Sequence, residues 1–390
     1  MKRKICVVST SRADYGLLFW LLKEIEKSRF LELSLVLSGS HLEERLGLTY
    51  KEVQRDFKHF YKVPLGLEND DETALCLAFS AGVAGFSKVL EQIKPDIMVL
   101  LGDRYEMLSA GIAGMLRAVP LAHIHGGEST QGAIDEGIRH ALTKMSHIHF
   151  CATSLYKRRI IQLGENPARV YNVGGLGIEN IKRLELLSKK DFENSLGFRL
   201  GKKNILVTFH PQTIEKKSAS KQFSQILNAL DSLKDTHFIF TGANADNGGK
   251  IINEMAQSYC FKNPEKAIFV MSLGQLRYLS AIKHSDIVLG NSSSGICEVP
   301  SLKKATINIG NRQKGRIKAP SIIDTKCDKS AILKAIKKAY SKDFQAKLKS
   351  VKNPYDSGFA SKKIIKVLEN IKLNGILKKK FYDLDAKCIK

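Results

Sequence analysis

Hydrophobic positions along this chain fall in short unbroken runs, separated by longer segments whose apolar residues recur at helical spacing. In the amino-terminal half the runs are Ile5 to Val8, Leu33 to Leu37, Ile97 to Leu101, Leu121 to Ile124 and Ile148 to Cys151, the length and composition of buried strands. Helical segments such as Leu17 to Glu26 lie between them. That alternation predicts an α/β fold with a parallel, doubly wound sheet. The rhythm restarts at Ile205 to Thr208 and continues through Phe238 to Phe240, Ile268 to Val270, Ile287 to Leu289 and Ala305 to Ile309. Two Rossmann-like domains are therefore expected in tandem, over 1–175 and 176–355, with 356–390 as a carboxyl-terminal helix and basic tail. The hinge is placed near Gly174-Gly175-Leu176-Gly177, where glycine takes backbone angles closed to other residues. The expected ligand site is a cleft between the domains. The tail from Leu377 to Lys390 reads as a packing or frayed extension.

A length of 390 residues exceeds what one core supports, and 43% hydrophobic residues suffice for two. The 62 Lys+Arg against 39 Asp+Glu leave a net charge of +23. Such a balance invites nucleic acid, an anionic membrane or phosphate-bearing substrates. The lysines are scattered, however, with modest clusters at Lys202-Lys203, Lys216-Lys217 and Lys378 to Lys380, and no basic stripe interleaved with aromatics accompanies them. A solvated lysine-rich surface is the reading, with no nucleic-acid or membrane partner. Seven cysteines lie far apart without a C-x-x-C pair, which predicts reduced thiols and a cytoplasmic protein. The start of the chain lacks a charged leader with a long apolar core, so a soluble, unexported protein is expected.

The chemistry concentrates behind predicted strands. Gly102-Asp103-Arg104-Tyr105-Glu106 directly follows the run Ile97 to Leu101, the carboxyl-edge position where open α/β sheets hold ligands. His123-Ile124-His125-Gly126-Gly127-Glu128 and Asp135-Glu136-Gly137-Ile138-Arg139-His140 follow. The second block opens an amphipathic helix with Ile134, Ile138, Leu142 and Met145 inward, pairing Asp135 with Arg139 and Glu136 with His140 along its rows. Those pairs are either plain surface salt bridges or, beside Asp103 and Glu128, acid/base groups around a sugar. His123, His125, Glu128 and His140 do not match an H-E-x-x-H or carboxylate-loop pattern, and no metal is expected. Ser9 to Gly16 joins a strand to a helix, where Arg12 offers a fork to an anion or else is a surface arginine behind a Ser11 cap. In the second half, Ser292, Ser293, Ser294 and Gly295 follow the strand Ile287 to Leu289 and open a helix. Small polar residues there suit a diphosphate, and Glu298 one turn inside suits ribose hydroxyls. His210 lies just past Ile205 to Thr208.

These motifs resemble the hydrolysing nucleotide-sugar 2-epimerases of the UDP-N-acetylglucosamine 2-epimerase superfamily. The resemblance runs from Ser11-Arg12-Ala13-Asp14-Tyr15 through the three first-half blocks to Asn291 to Ile296 and Asn308 to Arg316, which includes Arg312 and Arg316. It implies the GT-B arrangement, a carboxyl-terminal helix crossing back to the first domain, and a homodimer formed through that domain. The implied reaction eliminates the nucleoside diphosphate to a glycal and adds water to release a sugar inverted at carbon 2, with no redox change and no cofactor. By matching positions the resemblance implies acid/base roles for Asp103, Asp135 and Glu136, with Glu128 or His125 in a third. It implies diphosphate contacts for His210, Arg12, Ser293, Ser294 and Glu298. Where many members carry glutamate, this chain has His125, a variant resembling members that act on 2,4-diacetamido-2,4,6-trideoxy sugars in legionaminic acid synthesis. UDP-N-acetylglucosamine, giving N-acetylmannosamine for sialic acid, stays open as the alternative, as does a GT-B glycosyltransferase.

Overall fold

A computed structural model of the chain describes residues 2–44, 47–66, 71–130, 134–211, 219–243 and 248–384. Lys216, Lys217 and Cys388 lie outside the described residues. The chain forms two compact units, one of Met1–Glu128, Ile134–Asn180 and Ser357–Lys390, the other of Ser129–Ala133 and Ile181–Asp356.

In the first unit the elements are β1 (Arg3–Ser9), α1 (Arg12–Lys27), β2 (Leu31–Ser38), α2 (Tyr50–Asp56), β3 (Tyr61–Val63), α3 (Glu72–Ile93) and β4 (Ile97–Leu101). They continue with α4 (Tyr105–Leu116), β5 (Leu121–Ile124), α5 (Asp135–Met145), β6 (Ile148–Cys151), α6 (Ser154–Gln162) and β7 (Val170–Asn172), and α7 (Leu176–Arg183) begins in the first unit and ends in the second. The strands form one seven-stranded sheet in the order β3-β2-β1-β4-β5-β6-β7, each neighbouring pair parallel. Helices cover both faces of such a sheet, so its central strands are apolar throughout rather than alternating, and β4 is buried at all five positions. Ile5, Val7, Ile97 and Val99 pack on one side with Leu18 and Leu21 of α1. Cys6, Val8, Met98 and Leu100 face the other way, against Phe86 of α3 and Met107 and Ala110 of α4. This is the period-two alternation of a pleated strand with both faces spent on core.

The second unit contains α8 (Lys189–Leu196), β8 (Lys203–Thr208), α9 (Ala219–Asp231), β9 (Thr236–Thr241), α10 (Gly249–Lys262), β10 (Ala267–Val270) and α11 (Gly274–His284). Then come β11 (Ile287–Gly290), α12 (Ser293–Cys297), β12 (Ala305–Ile309), β13 (Ile322–Thr325), α13 (Lys329–Ala339) and α14 (Lys342–Ser350). Its six-stranded sheet runs β10-β9-β8-β11-β12-β13, again all parallel. Gly290, at φ +142°, pairs with Thr208, and any side chain there would drive into the Thr208 carbonyl. The last helix, α15 (Ala360–Asn370), packs on α1, and its Ile364 and Leu368 join the first unit's core.

The sheet orders locate a ligand site in each unit. Strand order reverses between β1 and β4 in the first and between β8 and β11 in the second, and open α/β sheets receive ligands beyond the carboxyl ends of the strands at such a switch point. Three strands fall outside the sequence expectation: β3, β7 and β13, all at sheet edges. Tyr61 and Lys62 of β3 are exposed, and only Val170 of β7 and Ile323 of β13 are buried, so an edge strand needs little apolar sequence. Helix α3 also escapes the sequence reading. It is long and apolar enough to cross a membrane by length and composition alone, at 22 residues and mean hydropathy 1.6. Here it packs along α4, burying Ala78, Gly82, Phe86, Val89, Leu90 and Ile93.

Candidate active site

Asp103 follows β4, and His125 and Glu128 follow β5, so all three stand beyond the carboxyl edge of the first sheet. Helix α5 supplies the partners. Arg139, 1% exposed, is the largest fully buried side chain, and it donates to Glu136 Oε2 (2.7 Å), to the Glu128 carbonyl (3.1 Å) and to the Asp103 carboxylate. A guanidinium suits this task because its planar fork reaches several acceptors at once, and burial strengthens each bond. His140 Nε2 lies 3.3 Å from Glu136 Oε1. Arg139 thus also reaches Glu136, three positions before it on the same helix. Asp135 and Glu136 sit in the first turn of α5, where the helix dipole favours negative charge. Ile134, expected inward, is 65% exposed and stands before the helix at its cap position, whereas Leu142 is fully buried.

Two backbone positions shape this edge. Gly127, at φ +77°, passes so close to the Tyr156 carbonyl that no Cβ fits. His125 sits at φ +68° without glycine's freedom, a conformation costing about 1–2 kcal/mol for an L-residue. Its Nδ1 lies 3.9 Å from Glu128 Oε1. His123, on β5, is completely buried, and burial brings its imidazole down to about 4. Its Nε2 lies 2.7 Å from the Gly102 carbonyl, so Nε2 carries the proton and His123 fixes the peptide that precedes Asp103. Among the described residues no group of three or more His, Cys, Asp or Glu side chains converges as a metal site.

At the β1–β4 switch point the Ser11 side chain accepts from the Asp14 amide and caps α1. Arg12, the first residue of that helix, pairs with Glu52 at 2.9 Å, both half-exposed. Sequence reasoning missed the neighbouring cluster, in which Glu106, 1% exposed, accepts from Arg104 at 2.8 Å and Thr10 donates to Asp14 at 2.7 Å. Burial raises the Asp14 carboxyl above its ordinary range, against the opposing charge of Arg104. The signal was present in Gly102 to Glu106, but nothing in a single sequence says which acid of that block turns inward.

In the second unit His210 follows β8 and Asn291 follows β11, astride the switch point. Asn291 Oδ1 accepts from the His210 amide (2.7 Å) and its Nδ2 donates to the His210 carbonyl (2.8 Å), stitching the two loops together. Arg312 Nη1 (3.1 Å) and Gln313 Nε2 (2.8 Å) both donate to the Asn291 carbonyl. Burial brings His210 down to about 3, with the Arg312 charge adding to it, so the imidazole is neutral. Ser292 occupies the cap position of α12 without spending its hydroxyl on the helix. Helix α12 is only five residues long, and Glu298 ends it instead of lying a turn inside, which corrects the sequence expectation. Gly295 packs against Thr306, whose hydroxyl donates to the Gly295 carbonyl (2.7 Å), and Arg316 donates to Cys297 Sγ (3.6 Å). Burial raises the Glu298 carboxyl, and it raises the neighbouring Tyr278 phenol to about 12. Tyr278, at the middle of α11, gave no sequence signal.

The sequence profile of the UDP-N-acetylglucosamine 2-epimerase family matches residues 23–369. A Campylobacter jejuni protein named GDP/UDP-N,N'-diacetylbacillosamine 2-epimerase (hydrolyzing) is 47% identical over 98% of this chain and 100% of its own. An Escherichia coli polysialic acid biosynthesis protein is 38% identical over 98% of each. The crystal structure of a Neisseria meningitidis UDP-GlcNAc 2-epimerase bound to UDP-GlcNAc superposes with a TM-score of 0.78 at 19% identity, covering 94% of this chain and 99% of that one. The chain belongs to the UDP-N-acetylglucosamine 2-epimerase family and is an enzyme, a hydrolysing nucleotide-sugar 2-epimerase with the two Rossmann-like domains of the GT-B fold.

Proposed function

We propose that the enzyme converts UDP- or GDP-N,N'-diacetylbacillosamine, a nucleotide-linked 2,4-diacetamido-2,4,6-trideoxyglucose, into the free manno-configured sugar and nucleoside diphosphate, for legionaminic acid synthesis. The observation that carries the reaction is the buried guanidinium of Arg139 holding two carboxylates, Asp103 and Glu136, at the carboxyl edge of the sheet. The Campylobacter relative, at 47% identity, supports the substrate. Carbon 2 is a poor acid, so the bond from carbon 1 to the diphosphate stretches as a carboxylate removes the carbon-2 proton, and the electron pair forms the glycal double bond while the diphosphate departs. Water then adds to carbon 1 and a proton returns to carbon 2 from the opposite face, which demands a second, differently placed acid. Asp103, Asp135 and Glu136 are assigned to these transfers, with His125 and Glu128 as the further acid/base pair.

The second unit is assigned the leaving group. Ser292, Ser293, Ser294 and the Gly295 amide donate to the diphosphate, Arg312 and Arg316 offset its charge, and Glu298 takes the ribose hydroxyls. His210, neutral and buried, donates a hydrogen bond without competing for a proton, and Arg12 is assigned the remaining anion contact once it exchanges Glu52 for substrate. A homodimer through the first unit is supported by exposed apolar side chains on its packed helices α3 and α4: Leu77 of α3 and Met115 and Leu116 at the end of α4 are 66%, 46% and 73% exposed. Multi-angle light scattering should give twice the chain mass, and a charged residue at Leu77 should halve it. The decisive experiment is proton NMR in deuterated water with UDP- and GDP-linked diacetamido sugar and UDP-N-acetylglucosamine offered separately. A free manno sugar bearing deuterium at carbon 2 from a diacetamido donor is the expected result. Preference for UDP-N-acetylglucosamine would move the enzyme to the N-acetylmannosamine branch, and hydrolysis without inversion would overturn the epimerase mechanism.

A further inference from the structure

Away from the carboxyl edge of the first sheet, the carboxyl-terminal segment folds onto the region beside β6 and builds a cavity there. Its docking is specific. The Tyr382 amide donates to the Gly164 carbonyl (2.9 Å), the Phe381 ring covers Gly164 so closely that no Cβ fits there, and Arg169 Nη1 donates to the Ile376 carbonyl (3.1 Å). Lys379 reaches inward to Glu165 Oε2 and to the carbonyls of Lys144 and Ser146, each at 2.6 Å. The sequence expectation of a packing or frayed extension is thus resolved as packing, over the described residues to 384.

The cavity left between this segment and the sheet holds about 190 Å³ and is lined by His147, Glu165, Arg169, Lys378, Lys379 and Lys380. Its charges do not balance. Glu165 is already shared among Lys144 (2.6 Å), Lys379 (2.6 Å) and His149 (3.0 Å). Among the described residues, no carboxylate pairs with Arg169, Lys378 or Lys380. Burial brings His147 down to about 4, and the charges of Lys379 and Arg169 push the same way, so it adds no charge of its own and registers the positive field. Ligand pockets for whole drug-sized molecules run about 300–1,000 Å³, so a space this small encloses a charged head and not a nucleotide sugar.

We propose that this cavity is an anion site for a phosphate group, held by Arg169, Lys378 and Lys380 and separate from the catalytic groups. A tetrahedral dianion meets a guanidinium fork and two ammonium groups, and its binding ties the carboxyl-terminal segment to the loop that carries Arg169.

The test is hydrogen–deuterium exchange of the full chain, read over 163–170 and 375–384, with inorganic phosphate titrated against sodium chloride at equal ionic strength. This local readout is blind to phosphate bound elsewhere. At phosphate tenfold above its Kd the segment should exchange about tenfold more slowly, the factor set by linkage when only the closed segment binds. The double variant Lys378→Gln/Lys380→Gln alters two exposed side chains, so it should fold and turn over as the parent does while losing the response. Arg169→Gln is the second variant. Equal protection by chloride, no local protection by phosphate, or a response retained in both variants would overturn the site. Glucose 1-phosphate run beside phosphate separates the sources: a response at lower concentrations of the ester assigns the site to a phosphorylated small molecule, and a response to phosphate alone assigns it to the free ion.

Discussion

A guanidinium at 1% exposure has no water to fall back on, so Arg139 depends on Asp103, Glu136 and the Glu128 carbonyl for its solvation. Breaking such a set from one side leaves buried charge uncompensated at about 3–5 kcal/mol. Arg139→Lys should lower the unfolding free energy measured in urea by roughly that amount and stall turnover, since a single ammonium cannot span the three acceptors; a variant with parental stability would contradict the account. Asp103→Asn keeps an acceptor for Arg139 and removes the base, so kcat should fall by about 10²–10⁴-fold with a smaller loss of stability. His125 offers the complementary test. Its φ of +68° is strain that glycine would relieve, so His125→Gly should gain about 1 kcal/mol in thermal or urea unfolding while losing turnover. A variant as active as the parent would remove His125 from the site. Sequence alone reached Asp103, Glu136, His125 and Arg139 because each falls in a block directly after or beside a strand-like run. It did not reach their pairing, which depends on how far α5 is rotated beneath β4.

Elements extend the same logic to segments. The Glu165 clamp is a carboxylate, 1% exposed, that burial would raise but that hydrogen bonds from His149, Lys144 and Lys379 bring down to about 2. A carboxyl depressed below its ordinary 4.5 contributes stability that is present above that value and lost as pH falls toward 2. Glu165→Gln should therefore cost about 3 kcal/mol at neutral pH and expose the 375–384 segment to limited proteolysis, with the difference from parent vanishing in acid. No change in cleavage at neutral pH would show that the clamp does not hold the segment. This docking was not legible beforehand, because Lys379 looks like any lysine in a basic tail until Glu165, more than two hundred residues earlier, is brought beneath it. The central strands were legible for the opposite reason. A parallel sheet covered on both faces forces unbroken apolar runs such as Ile97–Leu101, whereas β3, β7 and β13 bury one face or less and leave a pattern too short to read.

At the scale of the whole molecule, both units bury neutral histidines. His41, His123 and His147 in the first and His210 in the second are each less than 9% exposed. Burial brings the first three down to about 4 and His210 to about 3, from an ordinary 6.5. Below 6.5 the unfolded chain takes up protons that the folded chain refuses until its own lower values are reached. Stability is therefore fully present above 6.5 and falls between 6.5 and about 4, by up to about 1.4 kcal/mol per pH unit for each histidine. The expected curve is a urea midpoint that is flat from pH 8 to 7 and declines steadily from 6.5 to 5, a range in which ordinary carboxylates stay mostly ionised. Replacing His210 with Gln removes one of the four and should flatten the second unit's share of the slope while leaving that of the first. Because His210 is neutral throughout this window, the pH–rate profile of kcat should show no limb belonging to it between pH 5 and 8. A limb that disappears in His210→Gln would mean that substrate binding returns the imidazole to the titrating range, and His210 would then have to be counted among the proton-transferring groups.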